Sequence, residues 1–153
     1  MAHTSTHNYL HIVFGTKDRH SLIPEPVQPD LWKYMAGICR NLRMTPFDIN
    51  GMEDHAHLVV RLPPVIALAE AVKVIKSNSS RWMGEHGRQF GWQGGYGAFS
   101  VSASNLAAVR KYVREQKIHH RKMTFEQEFR ELLRRHGDDP DFVPPRKRGS
   151  GDS

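Results

Sequence analysis

The spacing of apolar and polar residues predicts four strands, of which the first is the clearest. In residues 9–17, Leu10, Ile12 and Phe14 fall on one face of a strand, and His11 and Val13 fall on the other. Three further segments are predicted to be strands: 46–52, 55–62 and 96–103. Two prolines at positions 63 and 64 end the third strand, because proline lacks the N–H that a sheet requires.

Helical periodicity predicts two long helices between these strands and two more near the end of the chain. The first runs from a capping Asp30 to about residue 43, and the second covers residues 67 to about 86. Their apolar stripes are Leu31, Tyr34, Met35 and Ile38, and Leu68, Val72, Ile75 and Trp82. A third helix, capped by Ser104 or Asn105, is expected to continue to about residue 122. The last helix follows a capping-box pattern formed by Thr124 and Gln127, and it ends at Gly137.

The order of these elements, β-α-β-β-α-β followed by helices, predicts an α+β fold. It matches the ferredoxin-like split β-α-β arrangement, in which the sheet is antiparallel. Right-handed crossovers then place the first two helices on one face of the sheet. The third helix or a partner is expected to cover the other face. Residues 1–137 are predicted to form one domain, and the Pro-rich basic segment 138–153 is predicted to be a disordered tail.

Charge and composition narrow the classes of partner. The net charge is +6 with a pI near 9.7, which favours a polyanionic partner. Between residues 105 and 122 there is one acid, Glu115, against six basic residues: Arg110, Lys111, Arg114, Lys117, Arg121 and Lys122. The single Cys39 excludes a disulfide within the chain. The sequence has no signal-peptide pattern and no long apolar run, so a cytoplasmic, membrane-free protein of bacterial type is expected.

The pair His55 and His57 is a candidate metal site. Residues two apart on a strand point to the same face, so both imidazoles can approach one metal ion. The spacing alone is weak support, because the chain contains ten histidines and such a pair arises by chance. The alternative is two strand histidines on a solvated face.

The third predicted helix carries a second candidate feature. Its apolar stripe, Leu106, Val109 and Val113, continues to Gln116, and a buried glutamine needs a polar partner. Tyr112 lies four residues before Gln116, so both side chains project from one helix face. The alternatives are a tyrosine on the helix rim and a solvated glutamine.

Five segments in order make the chain similar to a known family. They are YLHIVFGTKDRHSLI, DHAHLVV, IKSNSSRWM, WQGGYGAFSVS and KYVREQ. The chain resembles the HUH single-tyrosine transposases of bacterial insertion sequences, including the REP-associated tyrosine transposases. Ala56 is smaller than the hydrophobe usual between the two histidines, but it suits a core-facing position.

The resemblance implies a DNA transposase. It assigns His55, His57 and Gln116 as ligands of a divalent metal, Mg²⁺ or Mn²⁺, and Tyr112 as the nucleophile that attacks the scissile phosphate. Cleavage of single-stranded or hairpin DNA would leave a 5′-phosphotyrosine that conserves the bond energy, so strand transfer needs no nucleotide cofactor. The resemblance also implies a homodimer in which the nucleophile helix can complete the partner's site.

DNA contacts are predicted at cations of the second and third helices: Lys73, Lys76, Arg81, Arg110, Lys111, Arg114 and Lys117. Trp82 or Trp92 could stack on bases, although each could equally belong to the core. The loop GWQGGYG lacks the Gly-Lys-Ser/Thr ending of a P-loop. The sequence is also compatible with two other functions. One is a non-catalytic, domesticated binder of structured single strands, and the other is a metal-independent RNA endonuclease or RNA-binding module.

Overall fold

The computed structural model describes residues 3–137, and the predicted tail at 138–153 lies outside them. Its strands are β1 (Asn8–Gly15), β2 (Thr45–Met52), β3 (His55–Leu62) and β4 (Gly97–Val101). They form one antiparallel sheet in the order β2-β3-β1-β4. The helices are α1 (Gln28–Asn41), α2 (Leu68–Glu85), α3 (Leu106–Arg114), α4 (Gln116–His119) and α5 (Phe125–Arg135). The predicted α+β, ferredoxin-like architecture is therefore confirmed.

One face of the sheet forms the main core with α1 and α2. Leu10, Ile12 and Phe14 of β1 point to this face and pack against the stripes of both helices, including Met35 and Ile75. Full burial of each such side chain contributes about 1.5–3 kcal/mol to stability. No helix among the described residues is long and apolar enough to cross a membrane.

The opposite face is covered by the C-terminal helices of the same chain. Val13 of β1 and Phe99 of β4 pack there against Phe125 and Leu132 of α5. Because β1 and β3 are central strands, both of their faces are buried. The second layer of the fold therefore lies over the alternate residues of these strands, which include His11, His55 and His57.

The predicted cap of α1 is wrong, and Asn105 occupies the predicted capping position of α3 without making a side-chain bond. Helix α1 begins at Gln28 with Pro29 in its first turn, so Asp30 lies inside the helix. Proline suits that position because the missing N–H would have no helical partner there. Helix α3 is preceded by a 3-10 turn, Ala103–Asn105, and Asn105 makes no side-chain capping bond.

The prediction of one continuous third helix to residue 122 is also wrong, because the helix is broken at Glu115. Its φ and ψ of −95° and 22° separate α3 from α4. The Asn50 side chain on β2 donates to the carbonyls of Val113 and Arg114, at 3.0 and 3.2 Å. A side chain of β2 thus supplies a donor to the last two carbonyls of α3.

Helix α5 begins with the predicted capping box. Thr124 Oγ1 accepts from the Gln127 backbone N–H at 3.2 Å, and Gln127 Oε1 accepts from the Thr124 N–H at 2.9 Å. Gly137 follows the helix with a φ of 81°, a conformation that glycine adopts without strain. Both predicted boundaries of α5 are confirmed.

The loop before β4 is tied to α2 by Lys76. Its ammonium donates to the carbonyls of Gln93 and Gly95, at 2.7 and 2.9 Å. It lies 5.6 Å from the centre of the Phe14 ring, and burial lowers its pKa. Trp92 adds a second tie by donating to Ser79 Oγ at 2.9 Å.

We predict that Thr124→Ala lowers the free energy of unfolding by about 1 kcal/mol, because it removes the acceptor at the N-terminus of α5. Urea denaturation measures the change. Thr124→Ser retains the hydroxyl and is expected to match the wild type. Equal stability of the alanine and serine variants would contradict the proposed importance of this cap.

We also predict that Lys76→Met lowers the free energy of unfolding by about 1–3 kcal/mol, since two loop carbonyls lose their buried donor. The matched control is Lys73→Met, which removes an exposed lysine one turn earlier and should change stability by less than about 0.5 kcal/mol. Indistinguishable denaturation curves for the two variants would refute the anchoring role of Lys76.

Candidate active site

The sheet register brings the two strand histidines to the face covered by α5. His55 pairs with Gly15 of β1, and His57 pairs with Val13. Both imidazoles are fully buried, with ring centres 5.0 Å apart. Gly15 allows close packing here, because a Cβ on it would lie 2.9 Å from a ring carbon of Phe125. The predicted convergence of the two side chains is observed.

A carboxylate from α5, Glu128, lies at the centre of the site. Its Oε1 is 2.8 Å from His57 Nε2, 3.0 Å from His120 Nε2 and 3.4 Å from His55 Nε2. The ligand atoms of these four residues all lie within 4.8 Å of one another, close enough to hold one metal ion. This His₃–Glu cluster, defined as His55, His57, His120 and Glu128, is 0–1% exposed at three of its four side chains.

The second oxygen of the same carboxylate contacts the predicted nucleophile. The Tyr112 hydroxyl donates a short hydrogen bond to Glu128 Oε2, and Gln116 Nε2 donates to the same oxygen at 3.0 Å. Gln116 Oε1 lies 3.1 Å from His55 Nε2. Although α3 ends between Tyr112 and Gln116, both side chains reach one point. The structure therefore brings together all four residues predicted for the chemistry, within a single chain.

Outer hydrogen bonds fix the orientation of both strand histidines. His55 Nδ1 is 2.8 Å from an oxygen of Asp54, and His57 Nδ1 is 2.7 Å from His11 Nε2. Metal-bound histidines characteristically use their second ring nitrogen in this way. With each Nδ1 occupied, the Nε2 atoms are the ones that face the cluster.

Burial and hydrogen bonding have opposite effects on the pKa values of Glu128 and the histidines in the cluster. Burial alone would raise the pKa of Glu128, but hydrogen bonds from His120, His55 and His57 outweigh it and hold that pKa far below its ordinary value. Burial disfavours the charged form of His55 as well, yet bonds to Asp54 and Glu128 raise its pKa to about 9. At His57 burial dominates and lowers the pKa to about 4. The Glu128 carboxylate is thus held in its ionised form.

At Tyr112 burial and hydrogen bonding act in the same direction and keep the side chain in its phenol form. Burial and the hydrogen bond to Glu128 both raise its pKa above the ordinary value. The His119 ring stacks on the Tyr112 ring with centres 4.4 Å apart, and the Phe125 ring lies flat against His55 at 4.2 Å. These aromatic contacts form the walls of the site and restrict the tyrosine and the imidazole to their observed positions.

A cleft of about 400 Å³ opens beside Tyr112, between β4, α3 and α5. Its lining includes His11, Asn105, Tyr112, Arg135 and His136. Tyr112 thus borders both the buried cluster and an open, partly basic cavity.

The predicted DNA-contacting cations fall into two groups. Lys73, Arg81 and Lys111 are exposed, although Arg81 also donates to Asn78 at 2.6 Å. The others have protein partners. Arg110 and Arg114 pair with Asp48 at 2.7 and 2.9 Å. Lys117 donates to Gln28 at 2.5 Å, and Lys76 donates to the loop before β4.

The two tryptophans also make protein contacts. The Trp82 ring stacks on Tyr34, with centres 5.3 Å apart, and lies 4.1 Å from the His86 ring. Trp92 packs edge-on against Phe14 at 4.7 Å. Neither ring is fully buried.

Sequence reasoning missed three residues of the site, namely His11, His120 and Glu128. The first belongs to an apolar strand, and only its pairing with β3 places it beside His57. Glu128 did leave a signal, because it interrupts the apolar face of α5 between Phe125 and Leu132. The same kind of interruption had singled out Gln116.

Comparisons with known proteins identify the family. The model of the IS200-like transposases matches residues 4–116, a segment that contains His55, His57, Tyr112 and Gln116. A curated relative, the ISDra2 transposase TnpA of Deinococcus radiodurans, is 25% identical over 114 residues, which cover 69% of this chain and 81% of that protein.

Two solved structures share the fold. A putative transposase from Deinococcus radiodurans R1 has a TM-score of 0.61 at 22% identity, covering 76% of this chain and 95% of its own. A REP-associated tyrosine transposase bound to a REP hairpin has a TM-score of 0.60 at 11% identity. That match covers 100% of this chain and 97% of the other. On the family match, which spans most of the chain, this protein belongs to the IS200-like transposases, a family of DNA-cleaving and DNA-transferring proteins.

Proposed function

We propose that this transposase cleaves single-stranded DNA through Tyr112 and transfers the strand by way of a covalent 5′-phosphotyrosine. The observation that carries the proposal is the meeting of Tyr112, Gln116 and the histidine pair at one buried carboxylate. Purely structural roles for the tyrosine and the glutamine would not explain why both meet two oriented imidazoles at this carboxylate.

The donor set fits a divalent metal ion. Two Nε2 atoms face inward because each Nδ1 is already hydrogen-bonded, and the Gln116 amide oxygen lies beside one of them. We assign His55, His57 and Gln116 as ligands for Mg²⁺ or Mn²⁺. A bound ion would orient the scissile phosphate and stabilise charge on the leaving oxygen.

Tyr112 supplies the nucleophile. Its hydroxyl oxygen forms a bond to phosphorus while the bond from phosphorus to the 3′ oxygen breaks. The phenol proton passes to water as this bond forms, and the departing 3′ oxygen takes a proton from water. Glu128 Oε2 orients the hydroxyl by accepting its hydrogen bond. A phenol has an ordinary pKa near 10 and is a weak nucleophile at neutral pH, so a bound divalent ion would have to promote the attack at the phosphate. The phosphotyrosine retains the bond energy, and a second 3′ hydroxyl can reverse the step without a nucleotide cofactor.

The cleft beside Tyr112 supports a nucleic-acid substrate. Arg135, His136 and Asn105 line it and offer donors to phosphate at the point where the tyrosine reaches solvent. The structural neighbour bound to a REP hairpin suggests a folded single strand as the DNA. Exposed Lys73, Arg81 and Lys111 would contact the flanking phosphates. Assembly as a homodimer remains a prediction from family resemblance.

The first test is adduct formation. Wild-type protein, Mn²⁺ and a panel of hairpin-bearing single strands should give a protein–DNA adduct that survives denaturing electrophoresis. Tyr112→Phe should give none, whereas Tyr34→Phe, which alters a tyrosine on α1, should react normally. Absence of an adduct across the whole panel, or an adduct with Tyr112→Phe, would refute the mechanism. DNA binding that is equal in the wild type and Tyr112→Phe, without cleavage in either, would favour a non-catalytic binder.

The second test concerns Asp48, which neutralises two arginines of α3. Asp48→Asn is predicted to release them for binding to phosphates and so tighten single-strand binding. The dependence of log affinity on log salt should steepen by about 0.7 for each additional phosphate that the protein neutralises. Fluorescence anisotropy at several salt concentrations measures both quantities, with Asp30→Asn on α1 as the control of equal charge. An unchanged salt dependence in Asp48→Asn would place the DNA elsewhere.

A further inference from the structure

We propose that His120 and Glu128 are also ligands of the metal centre, which then has three imidazoles and one carboxylate in addition to the Gln116 amide. This inference rests on the proposed function in taking His55 and His57 as the other two ligands. The two added residues lie beyond the segment matched by the family, which ends at residue 116. They come from the turn after α4 and from α5.

The separations between the donor atoms match those of ligands that share one ion. Glu128 Oε1 lies 2.8, 3.0 and 3.4 Å from the Nε2 atoms of His57, His120 and His55. With bonds of about 2.1 Å, neighbouring ligands are about 3.0 Å apart in octahedral geometry and about 3.4 Å apart in tetrahedral geometry. All four donor atoms fall within 4.8 Å of one another.

Hydrogen bonding alone accounts poorly for this crowding. A carboxylate oxygen has two lone pairs, yet three ring nitrogens lie within 3.4 Å of Glu128 Oε1. A single cation satisfies the oxygen and all three nitrogens together. It also places a positive charge beside a carboxylate whose side chain is 1% exposed.

The rest of the carboxylate is already held in place. Glu128 Oε2 accepts from Gln116 Nε2 at 3.0 Å and from the Tyr112 hydroxyl. One oxygen is therefore directed at the imidazoles and the other at the nucleophile. Ligation through Oε1 leaves both Oε2 contacts intact, so Glu128 would join the metal centre to the reacting tyrosine.

The ligand chemistry indicates which ion binds. Imidazole nitrogens suit first-row transition ions, whereas Mg²⁺ prefers oxygen ligands and retains several waters. Of the two ions assigned above, three imidazoles in a buried site thus favour Mn²⁺ over Mg²⁺, and Zn²⁺ suits the same ligands. The amide oxygen of Gln116, 3.1 Å from His55 Nε2, offers a further ligand at the edge of the cluster.

The experiment measures metal binding by the full chain without DNA. Electron paramagnetic resonance follows the loss of the free Mn²⁺ signal, and calorimetry follows Zn²⁺. Wild-type protein should bind one ion per chain, and millimolar Mg²⁺ should not displace Mn²⁺. Glu128→Gln and His120→Gln should each weaken binding by about ten-fold or more. Their matched controls, Glu131→Gln on the exposed side of α5 and His20→Gln at an exposed histidine after β1, should bind as the wild type does.

Several outcomes would overturn the inference. These are wild-type affinity in both Glu128→Gln and His120→Gln, failure of the wild type to bind either ion, or displacement of Mn²⁺ by Mg²⁺. Thermal melting checks that each variant is folded, and if Glu128→Gln is not, His120→Gln decides. Failure of the proposed function looks different, because the wild type would then bind metal with the predicted ligand dependence and yield no DNA adduct.

Discussion

The arrangement of α3, α4 and α5 on the sheet depends on the buried carboxylate of Glu128. An ionised carboxylate beneath a sheet needs donors on both oxygens, and here they come from β3, α3, α4 and the turn that follows. Each of these elements is consequently fixed relative to α5. Removal of the charge would leave several imidazoles and a phenol without their shared acceptor, so packing on this face of the sheet is governed by polar contacts as much as by the apolar ones.

The two faces of β3 show how one strand serves both layers. Ala56, Leu58 and Val60 enter the apolar core with α1 and α2, while His55 and His57 face the opposite layer. Alternate side chains of a strand point to opposite faces, so one set of β3 side chains packs in the apolar core and the other set forms the candidate site. The small Ala56 belongs to the first layer, and its size does not alter the position of the histidines.

The parts of the structure that follow from local sequence were predictable, and the parts set by distant contacts were not. The bounds of β3 and the capping box of α5 depend on neighbouring residues and were found correctly. The break at Glu115 is accompanied by two hydrogen bonds from Asn50, which lies more than sixty residues earlier, so helical periodicity could not reveal it. Likewise, Tyr112 and Gln116 were found from spacing, whereas His11 acquires its role only through strand pairing.

The boundary of the family match has a consequence for how such chains are compared. A chain ending after Gln116 would retain each residue by which the family is recognised, but it would lack the helix that covers His55 and His57. Membership of the family and completeness of this centre are therefore separate properties. Some chains of the family would carry an acidic residue on the apolar side of a helix that follows the tyrosine. Such a residue would distinguish chains built like this one from chains in which other residues cover that face of the sheet.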